Sequence, residues 1–542
     1  MENYEETFKT FSLEAPHDFN FAFDTFDFWA KDKTRNALQI VEPDGTTTRN
    51  YSYYELQQLS LKFANVLKSY GLQKGDRIML MLPWTHKWYV ALLGMIRLGI
   101  LPIPTTTLCT PKDIEYRLQQ SAAHMVITDL ENAPKVDEVR SQFSGLQFTM
   151  VVNGEREGWY CYDEEMHKAA TRFERTVYTL SHDDMLLYFT SGTTAYPKMV
   201  LHSQSSYGIG HLITARLWHD LHPRDLIWTV TDTGWAKAAW SSFFGQFSLG
   251  ATLLNHVSPS KFDPALTLRI LETHGVSIFC APPTVYRMMI QLDITKEKLD
   301  HLRHCVSAGE PLNPEVISIW KEKTGLEIYD GYGQTETVLV IANYRCNPIR
   351  YGSMGKPAPG FTIAIVDDEG KELPPGREGN IAIKIKPERP IGLFKGYWND
   401  LRETGKALSG DWYYTGDRAY RDEEGYYWFE GRADDIILSA GYRIGPFEVE
   451  SALIEHPAVV EAAAVAAPDE LRGEIVKAFV VLSPGYAPSA SLTKELQEHV
   501  KKTTAPYKYP RSIEYLHELP KTVSGKIKRS ILKEREWKKI SG

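Results

Sequence analysis

The sequence predicts an α/β protein with a large N-terminal body of two parallel-sheet subdomains plus a small distorted β-barrel, and a small α+β C-terminal domain. The 542 residues correspond to three or four compact units at roughly 100 to 200 residues each. From about Tyr51, helical periodicity alternates with short apolar strands, which is typical of a parallel sheet covered by helices. Short alternating strands between Phe361 and Gly431 indicate an antiparallel sheet or barrel.

The first series of elements follows directly from periodicity. The segment 54–70 has apolar residues at helical spacing and is followed by Gly71, which suits a helix C-terminus. The apolar run 77–82 predicts a buried strand, and a helix over 88–98 and a strand over 125–129 follow it. This order of strand, helix and strand predicts the first parallel sheet.

A second series of apolar strands is predicted at 226–231, 277–281 and 304–307. The pattern then changes, because the strands 362–366 and 380–384 alternate apolar and polar residues and are separated by turn residues. Alternation of this kind predicts antiparallel strands with one buried face.

The last part of the chain predicts a separate α+β domain. A hairpin-like stretch after Gly431 is followed by a helix near 446–456 and by strands at 459–465 and 476–482. This block of about 110 residues has the size of a compact domain. We therefore expect an N-terminal domain over residues 1–433 and a C-terminal domain over residues 434–542.

Composition excludes several classes of protein. The net charge is 61 − 69 = −8, so the basic excess of a nucleic-acid-binding protein is missing. The five cysteines are scattered and form no CxxC pair, which argues against a disulfide framework or a zinc site. The most apolar run, 89–96, is too short for a membrane span. Because the N-terminus is acidic, unlike a signal or transit peptide, we expect a cytoplasmic protein; the oligomeric state is not predicted.

A polar loop between Tyr188 and Lys198 is the most informative segment of the sequence. It reads Tyr-Phe-Thr-Ser-Gly-Thr-Thr-Ala-Tyr-Pro-Lys and follows an apolar run. Dense hydroxyl donors, small residues that admit backbone amides and a cation are what a polyphosphate requires. By composition alone the loop is also compatible with an ordinary Ser/Thr-rich turn. The candidate phosphate ligands are Thr190, Ser191, Gly192, Thr193, Thr194 and Lys198.

The order of these residues resembles the phosphate-binding signature of the adenylate-forming superfamily, which comprises acyl-CoA synthetases, adenylation domains of peptide synthetases and luciferases. Ala195 departs from the usual Gly of that signature. Four further stretches are similar to the later motifs of the superfamily, in the same order along the chain. They are Tyr-Asp-Gly-Tyr-Gly-Gln-Thr-Glu at 329–336, Tyr-Thr-Gly-Asp at 414–417, Gly-Arg-Ala-Asp-Asp at 431–435 and Pro-Lys-Thr-Val-Ser-Gly-Lys at 520–526.

The resemblance implies an ATP site and roles for its side chains. Lys526, Thr335 and Lys198 are expected to act on the phosphates during catalysis, and Glu336 is expected to bind Mg²⁺. Asp417 is expected to accept both ribose hydroxyls, since one carboxylate can accept two hydrogen bonds. The ATP-binding residues implied by the resemblance are Thr190, Ser191, Gly192, Thr193, Thr194, Lys198, Gly309, Glu310, Pro311, Asp330, Gly331, Tyr332, Gly333, Gln334, Thr335, Asp417, Arg432 and Lys526.

The resemblance also implies a two-step reaction, in which a carboxylate first attacks the α-phosphorus of ATP and a thiol, here coenzyme A, then displaces AMP. The C-terminal domain is expected to be mobile and to rotate about Asp434 between the steps. The expected CoA-binding residues are Ala440, Gly441, Tyr442, Arg443, Arg472, Tyr509 and Arg511. A local charge of 8 − 2 = +6 over 521–542 is compatible both with attraction of CoA phosphates and with a solubilising tail.

The acyl pocket decides which acid is used. Trp235, Gly331 and Gly333 match the substrate pocket of the superfamily. Acetyl-CoA synthetases resemble this chain but carry Trp where Gly333 stands, so we expect Gly333 to leave space for a longer acyl group. The chain is most similar to medium-chain acyl-CoA synthetases, and straight-chain, branched and aryl acids all stay possible.

The alternatives to an acid:CoA ligase are an adenylating enzyme with another acceptor, such as a carrier protein, a luciferase-like oxygenase, and a non-catalytic nucleotide-binding protein.

Overall fold

The computed structural model describes residues 1–190, 197–257, 262–439, 442–469, 472–522 and 526–541. Within these residues the strands form five sheets. The predicted fold class is confirmed, because two of the sheets have parallel cores, two smaller sheets are antiparallel, and the C-terminal residues form an α/β unit of their own.

The largest sheet contributes most of the described active-site residues. Its five central pairings are parallel, and antiparallel strands flank them. The central strands are short and almost fully buried, as expected of strands covered on both faces. In spatial order the nine strands found in the described residues are Lys356–Pro357, Ile341–Ala342, Ile328–Tyr332, His304–Ala308, Ile278–Ala281, Leu226–Thr229, Thr252–His256, Asn36–Val41 and Thr48–Ser52.

The second sheet is wholly parallel over its described strands. It contains the predicted strands near 77–82 and 125–129, so the first series of elements is placed correctly. In spatial order its strands are Leu101–Pro104, Arg77–Met81, Met125–Asp129, Phe148–Val152 and Tyr160–Cys161.

Two antiparallel sheets complete the N-terminal body. One contains Ile363–Val366, Gly379–Lys384, Trp412–Arg421, Leu408–Ser409 and Tyr427–Arg432. The other joins Gly396–Tyr397, Met199–Ser203 and Asp184–Phe189. The first of them is the antiparallel unit predicted from the alternating pattern. The second was not predicted, because two of its strands flank the polar loop and the third lies about 200 residues further along the chain.

The C-terminal unit has its own core of mostly alanine, valine and leucine side chains. Its strands, in spatial order, are Tyr442–Ile444, Ile437–Ser439, Gly473–Leu482 and Val459–Asp469, with Ser512–Tyr515 paired to Gly473–Leu482. The predicted boundary after residue 433 falls in the turn before Ile437–Ser439, and the division itself stays a prediction.

Helix ends follow local capping rules. The helix Tyr53–Ser69 begins after Ser52, whose side chain forms a capping box with Glu55, and Gly71 follows it with a φ of 75°. No helix in the described ranges is long and apolar enough to cross a membrane. The α-helices are Tyr4–Thr10, Asp27–Trp29, Tyr53–Ser69, His86–Leu98, Pro111–Ser121, Ala133–Arg140, Tyr162–Lys168, Gln204–Gly208, Ala236–Ser242, Phe244–Ser248, Pro264–His274, Pro283–Met289, Pro314–Thr324, Leu401–Ala407, Pro446–Ile454, Ala490–Thr503 and Arg529–Ser541; Phe21–Phe26 and Ile213–Trp218 are π-helical, and Lys296–Leu299 and Pro506–Lys508 are 3₁₀-helical.

Candidate active site

The predicted nucleotide motifs meet at one edge of the largest sheet. The parallel strands His304–Ala308 and Ile328–Tyr332 are neighbours, and Ala308 pairs with Gly331. Their carboxyl ends therefore lie side by side, where open α/β sheets bind ligands. The motif residues at or just beyond these ends are Gly309, Glu310, Pro311, Asp330, Gly331, Tyr332, Gly333, Gln334, Thr335 and Glu336.

Asp417 is a buried carboxylate with one oxygen fixed and one available. The Tyr332 hydroxyl and the Gln334 amide donate to its Oδ2 over 2.6 and 2.7 Å. Among the described residues Oδ1 accepts no hydrogen bond, although Arg432 Nε lies 3.3 Å from it. Asp417 in turn raises the pKa of the Arg432 guanidinium. This arrangement suits the predicted binding of a ribose diol, because an oriented carboxylate retains an acceptor.

The main chain at Thr335 is fixed by two buried aromatic side chains. The Tyr207 hydroxyl and the His202 Nε2 both donate to the Thr335 carbonyl, over 2.7 and 2.8 Å. Burial lowers the pKa of His202 to about 3, so the ring is neutral and supplies one N–H donor. The predicted phosphate contact at Thr335 therefore lies on a rigid backbone.

Glu336 is a candidate for the predicted magnesium ligand. Its carboxylate is 9% exposed, burial raises its pKa, and the Tyr397 hydroxyl donates to Oε1 over 2.8 Å. The described residues contain no group of three or more His, Cys, Asp and Glu side chains that would hold a metal alone. A single carboxylate still fits Mg²⁺, which is usually bound by one or two carboxylates together with substrate phosphates and water.

The base of the phosphate loop is closed by paired hydrogen bonds. Lys198 N–H donates to Thr190 Oγ1 over 3.0 Å, and Thr190 N–H donates to the Lys198 carbonyl over 2.9 Å. The Lys198 ammonium lies 2.6 Å from Glu403 Oε2. The predicted ligands Ser191, Gly192, Thr193 and Thr194, together with Ala195, lie outside the described residues.

Lys526 brings the C-terminal domain to the nucleotide motifs. Thr522 N–H donates to the Lys526 carbonyl over 2.7 Å and Lys526 N–H donates to Thr522 Oγ1 over 3.1 Å, so the main chain at Lys526 is fixed to Thr522. Burial lowers the pKa of the Lys526 ammonium, whereas the carboxylates of Glu310 and Asp417 oppose this shift. Lys526, although distant in sequence, is thus within electrostatic range of Asp417, the predicted ribose ligand.

The predicted hinge lies next to a partly buried ion cluster. Asp434 is exposed in the turn that follows Arg432. Arg529, three residues after Lys526, binds both carboxylate oxygens of Glu450 over 2.8 and 2.6 Å and lies 3.9 Å from Asp435. The cluster connects the Lys526 loop to the residue that follows Asp434; the role of Asp434 as a hinge stays a prediction.

The segments that carry the predicted CoA residues are neighbours in the C-terminal sheet, since Ser439 pairs with Gly473, next to Arg472. Tyr442 stacks on Tyr507 with ring centroids 4.3 Å apart, and Arg511 donates to the Tyr509 hydroxyl over 2.8 Å. Arg472 is exposed, and Arg443 belongs to the strand Tyr442–Ile444. Ala440 and Gly441 lie outside the described residues, so the CoA assignments stay predictions.

The basic C-terminal run is largely neutralised by local ion pairs. Lys521, Arg529, Arg535 and Lys539 bind Glu461, Glu450, Glu514 and Glu536 respectively. Side chains held in this way attract a distant anion less than a free cluster would. The structure therefore favours a structural role for these four of the eight cations over attraction of CoA.

The space expected beside Gly333 is not open. A Cβ atom on Gly333 would lie 2.1 Å from Cη2 of Trp240 and 2.6 Å from the Val338 carbonyl oxygen. The indole of Trp240, which is 5% exposed, fills the position where a larger side chain would lie. The volume directly at Gly333 is therefore filled by a side chain from a segment 93 residues earlier, and the role of Gly333 in the acyl pocket stays a prediction.

The neighbouring Gly331 repeats this arrangement, since its Cβ would lie 2.6 Å from the Trp218 ring.

Trp235 is half-buried at the N-terminus of the helix Ala236–Ser242. Two residues further, Lys237 Nζ donates to the Ala308 carbonyl over 2.9 Å, and its burial lowers its pKa. Nearby Asp330 has its pKa raised to about 8 by burial.

Sequence reasoning missed four residues of this site, namely Trp240, Lys237, Tyr397 and Glu403. Lys237 lies in the stretch that also contains Trp235 and carried a signal, because a lysine in an apolar segment needs an anionic or carbonyl partner. The other three belong to no recognised motif and meet the site only through folding.

Comparison with known proteins agrees with this geometry. Residues 26–398 match the family model described as AMP-binding enzyme, and residues 448–526 match the AMP-binding enzyme C-terminal domain. The chain belongs to the AMP-binding enzyme family. Within the family, it is 50% identical to acyl-coenzyme A synthetase ACSM3, mitochondrial, of Rattus norvegicus, over 99% of this chain and 93% of that protein. It is 48% identical to acyl-coenzyme A synthetase ACSM4, mitochondrial, of Homo sapiens, over 96% of this chain and 91% of that protein.

Solved structures of the family have the same fold. The anthranilate CoA ligase AuaEII, in complex with anthranoyl-AMP, superposes with a TM-score of 0.88 at 29% identity, over 97% of this chain and 99% of that one. A benzoate CoA ligase from Burkholderia xenovorans LB400 superposes with a TM-score of 0.84 at 29% identity, over 95% and 100%.

The expected cytoplasmic location is wrong. The ACSM relatives that match almost the whole chain are named mitochondrial proteins. Composition and the acidic N-terminal residues did not reveal this, because receptors recognise a short targeting segment and not the folded domain.

Proposed function

We propose that this protein is an AMP-forming acyl-CoA synthetase of the mitochondrion, which converts a carboxylic acid, ATP and coenzyme A into an acyl-CoA, AMP and pyrophosphate. The observation that carries the proposal is that Tyr332 and Gln334 of the strand-end motif both donate to the Asp417 carboxylate, so that two predicted nucleotide motifs form one site. The charges of Asp417 and Glu310 also act on the Lys526 ammonium. The relatives named acyl-coenzyme A synthetase support it over nearly the whole chain.

The first half-reaction needs charge compensation more than a nucleophile. A carboxylate anion attacks the α-phosphorus, pyrophosphate leaves, and negative charge spreads over the transferring group. Lys526 and Arg432 supply positive charge beside the ribose carboxylate Asp417, and Lys198 supplies it at the base of the phosphate loop. Glu336 would hold Mg²⁺, which when bound screens the phosphate charges. No covalent enzyme intermediate is required.

The second half-reaction needs a different constellation in the same pocket. The CoA thiol attacks the acyl carbon of the adenylate, and AMP leaves with the bonding electron pair. Rotation about Asp434, which is exposed in the inter-domain turn, would remove Lys526 and bring the 439–443 loop to the pocket. Gating by domain movement is a known way to divide two chemical steps.

The proposed substrates are carboxylic acids larger than acetate, including medium straight-chain, branched and aryl acids, which places the enzyme in fatty acid or related lipid metabolism. Solved relatives are named for anthranilate and benzoate. The side chains next to the predicted pocket residues are aromatic, since Trp240 lies at Gly333 and Trp218 at Gly331, and aromatic surroundings suit an apolar acyl group.

The test is release of pyrophosphate and AMP from ATP, measured with acids from C2 to C12, benzoate and 2-methylbutyrate, each with and without CoA. We expect release that depends on the acid, with acyl-CoA formed only when CoA is present. Acyl-adenylate that accumulates unchanged with CoA would indicate another acceptor, such as a carrier protein. No turnover with any acid would favour a non-catalytic nucleotide-binding protein.

A further inference from the structure

One segment, between the strands Gly379–Lys384 and Leu408–Ser409, contacts both predicted nucleotide motifs. The main-chain N–H of Phe394 donates to the Glu336 carbonyl, and that of Trp398 donates to the Met199 carbonyl, each over 2.8 Å. Between them, the strand Gly396–Tyr397 pairs with Met199–Ser203. The segment 394–398 therefore joins the end of the phosphate loop to the strand-end motif that contains Glu336.

The helix that follows this segment carries a carboxylate to Lys198. Asp400 accepts the N–H of Glu403 over 3.0 Å and caps the helix Leu401–Ala407, so Glu403 lies in its first turn. Glu403 Oε2 is 2.6 Å from Lys198 Nζ, across 205 residues of sequence. The same ammonium lies 4.9 Å from the centroid of the Tyr397 ring. Lys198 is therefore held in three ways: Thr190 binds its main chain, Tyr397 lies beside its ammonium group, and Glu403 forms an ion pair with that group.

The charge of this cluster still favours a phosphate. Glu403 is bound by two ammonium groups, those of Lys198 and Lys406, at 2.6 and 2.5 Å. Both hydrogen bonds lower the pKa of the Glu403 carboxyl to about 2, so it is ionised at neutral pH. Two cations and one anion give a net charge of +1. The carboxylate thus orders Lys198 without cancelling the attraction of the cluster for a polyanion.

Ordering matters because a lysine side chain is flexible. A free lysine side chain carries about 2 kcal/mol of rotamer entropy, part of which is lost when it binds a phosphate. A partner that already restricts the lysine side chain before the phosphate arrives reduces the entropy that is lost on binding. Glu403 is 26% exposed and Lys198 40%, so the pair is partly solvated and its effect is modest.

We propose that Glu403 is a positioning residue for nucleotide binding, which holds Lys198 ready for the β- and γ-phosphates of ATP. The inference rests on the proposed function, since Lys198 is the predicted phosphate lysine. Glu403 acts only through Lys198, and it therefore affects ATP and leaves AMP, which lacks both outer phosphates, unaffected.

The experiment compares the affinities of the full-length protein for ATP with Mg²⁺ and for AMP, by isothermal titration calorimetry without any acid. Glu403→Gln keeps the size of the side chain and removes its charge. We expect ATP binding to weaken by about three- to fivefold, the range that a partly exposed ion pair supports, and AMP binding to stay unchanged. Lys198→Met should weaken ATP binding more, and adding Glu403→Gln to it should cause no further loss.

The matched control is Asp183→Asn. Lys74 and Asp183 form a comparable pair, at 2.5 Å with exposures of 41% and 18%, away from the nucleotide motifs. We expect this variant to bind both nucleotides like the unmodified protein.

The proposal is overturned if Glu403→Gln weakens ATP and AMP binding equally, leaves ATP binding unchanged or strengthens it, or if its effect adds fully to that of Lys198→Met. These readouts need no turnover, so their failure is distinct from a failure of the proposed ligase activity, which would appear as absent pyrophosphate release.

Discussion

Replacing Trp240 by leucine tests which side chain limits the size of the acyl group. The indole lies where a Gly333 side chain would be, with Cη2 at 2.1 Å and Cζ2 at 2.8 Å from the position of a Cβ atom. Leucine is too short to bring its terminal atoms to that position. The change therefore opens the space that the sequence alone assigned to Gly333.

The size of the effect follows from the area that a longer acid would bury. The withdrawn ring leaves room for roughly two methylene groups, and each buried methylene contributes about 0.8 kcal/mol, or about fourfold in kcat/KM at about 1.4 kcal/mol per tenfold change. We compare an acid two carbons longer than the best substrate of the unmodified enzyme with that substrate itself. We expect Trp240→Leu to raise the kcat/KM of the longer acid, relative to that of the shorter one, by about 15-fold.

The assay is pyrophosphate release over the series of acids, with thermal unfolding measured in parallel. Trp320→Leu is the control for lost stability, because Trp320 is also fully buried but packs in a different core cluster, against Tyr286. The reasoning is refuted if the two variants change the acid profile alike, or if Trp240→Leu improves only the shortest acids.

Three further predictions concern the nucleotide site and the domain interface. Lys526→Ala should lower acyl-adenylate formation by about 100-fold or more, whereas preformed acyl-adenylate should still yield thioester; similar losses in both half-reactions would contradict the assignment. Tyr397→Phe removes the donor to Glu336 and should weaken Mn²⁺ binding to the enzyme–ATP complex about tenfold, measured by electron paramagnetic resonance; unchanged affinity would count against this support. Burial, and then the charge of Glu448, raise the pKa of Glu430 from 4.5 to about 8, so the folded protein loses stability as the pH rises from about 4.5 to about 8 and Glu430 must ionise. Glu430→Gln should therefore increase the free energy of unfolding by at most about 4 kcal/mol at pH 8 and leave it unchanged near pH 4. An equal gain in the unfolding midpoint at both pH values would exclude this cause.

Local sequence predicted helices and strands well where the pattern of residues arises from one helix or strand alone. The predicted helix 54–70 is found at Tyr53–Ser69, and the predicted strand 125–129 is found at Met125–Asp129. Periodicity and capping are set by backbone geometry over a few residues. They can therefore be read without knowledge of the rest of the chain.

Contacts between distant segments were not predictable in the same way. The pair Lys198–Glu403 spans 205 residues, and Trp240 reaches Gly333 from another strand–helix unit. The three-stranded antiparallel sheet was missed for the same reason, since Gly396–Tyr397 is too short to show a pattern and is defined only by its pairing with Met199–Ser203.

The sequence by itself determined the order of the nucleotide motifs, the chemistry of their side chains and the fold class, because these depend on residue type and short-range spacing. The tertiary structure decided which side chains complete the site. It placed an indole beside Gly333, a carboxylate beside Lys198, and the Gln334 amide against Asp417. The physical reason is that close packing assigns each volume to one group only, and which group fills it depends on how remote segments fold together.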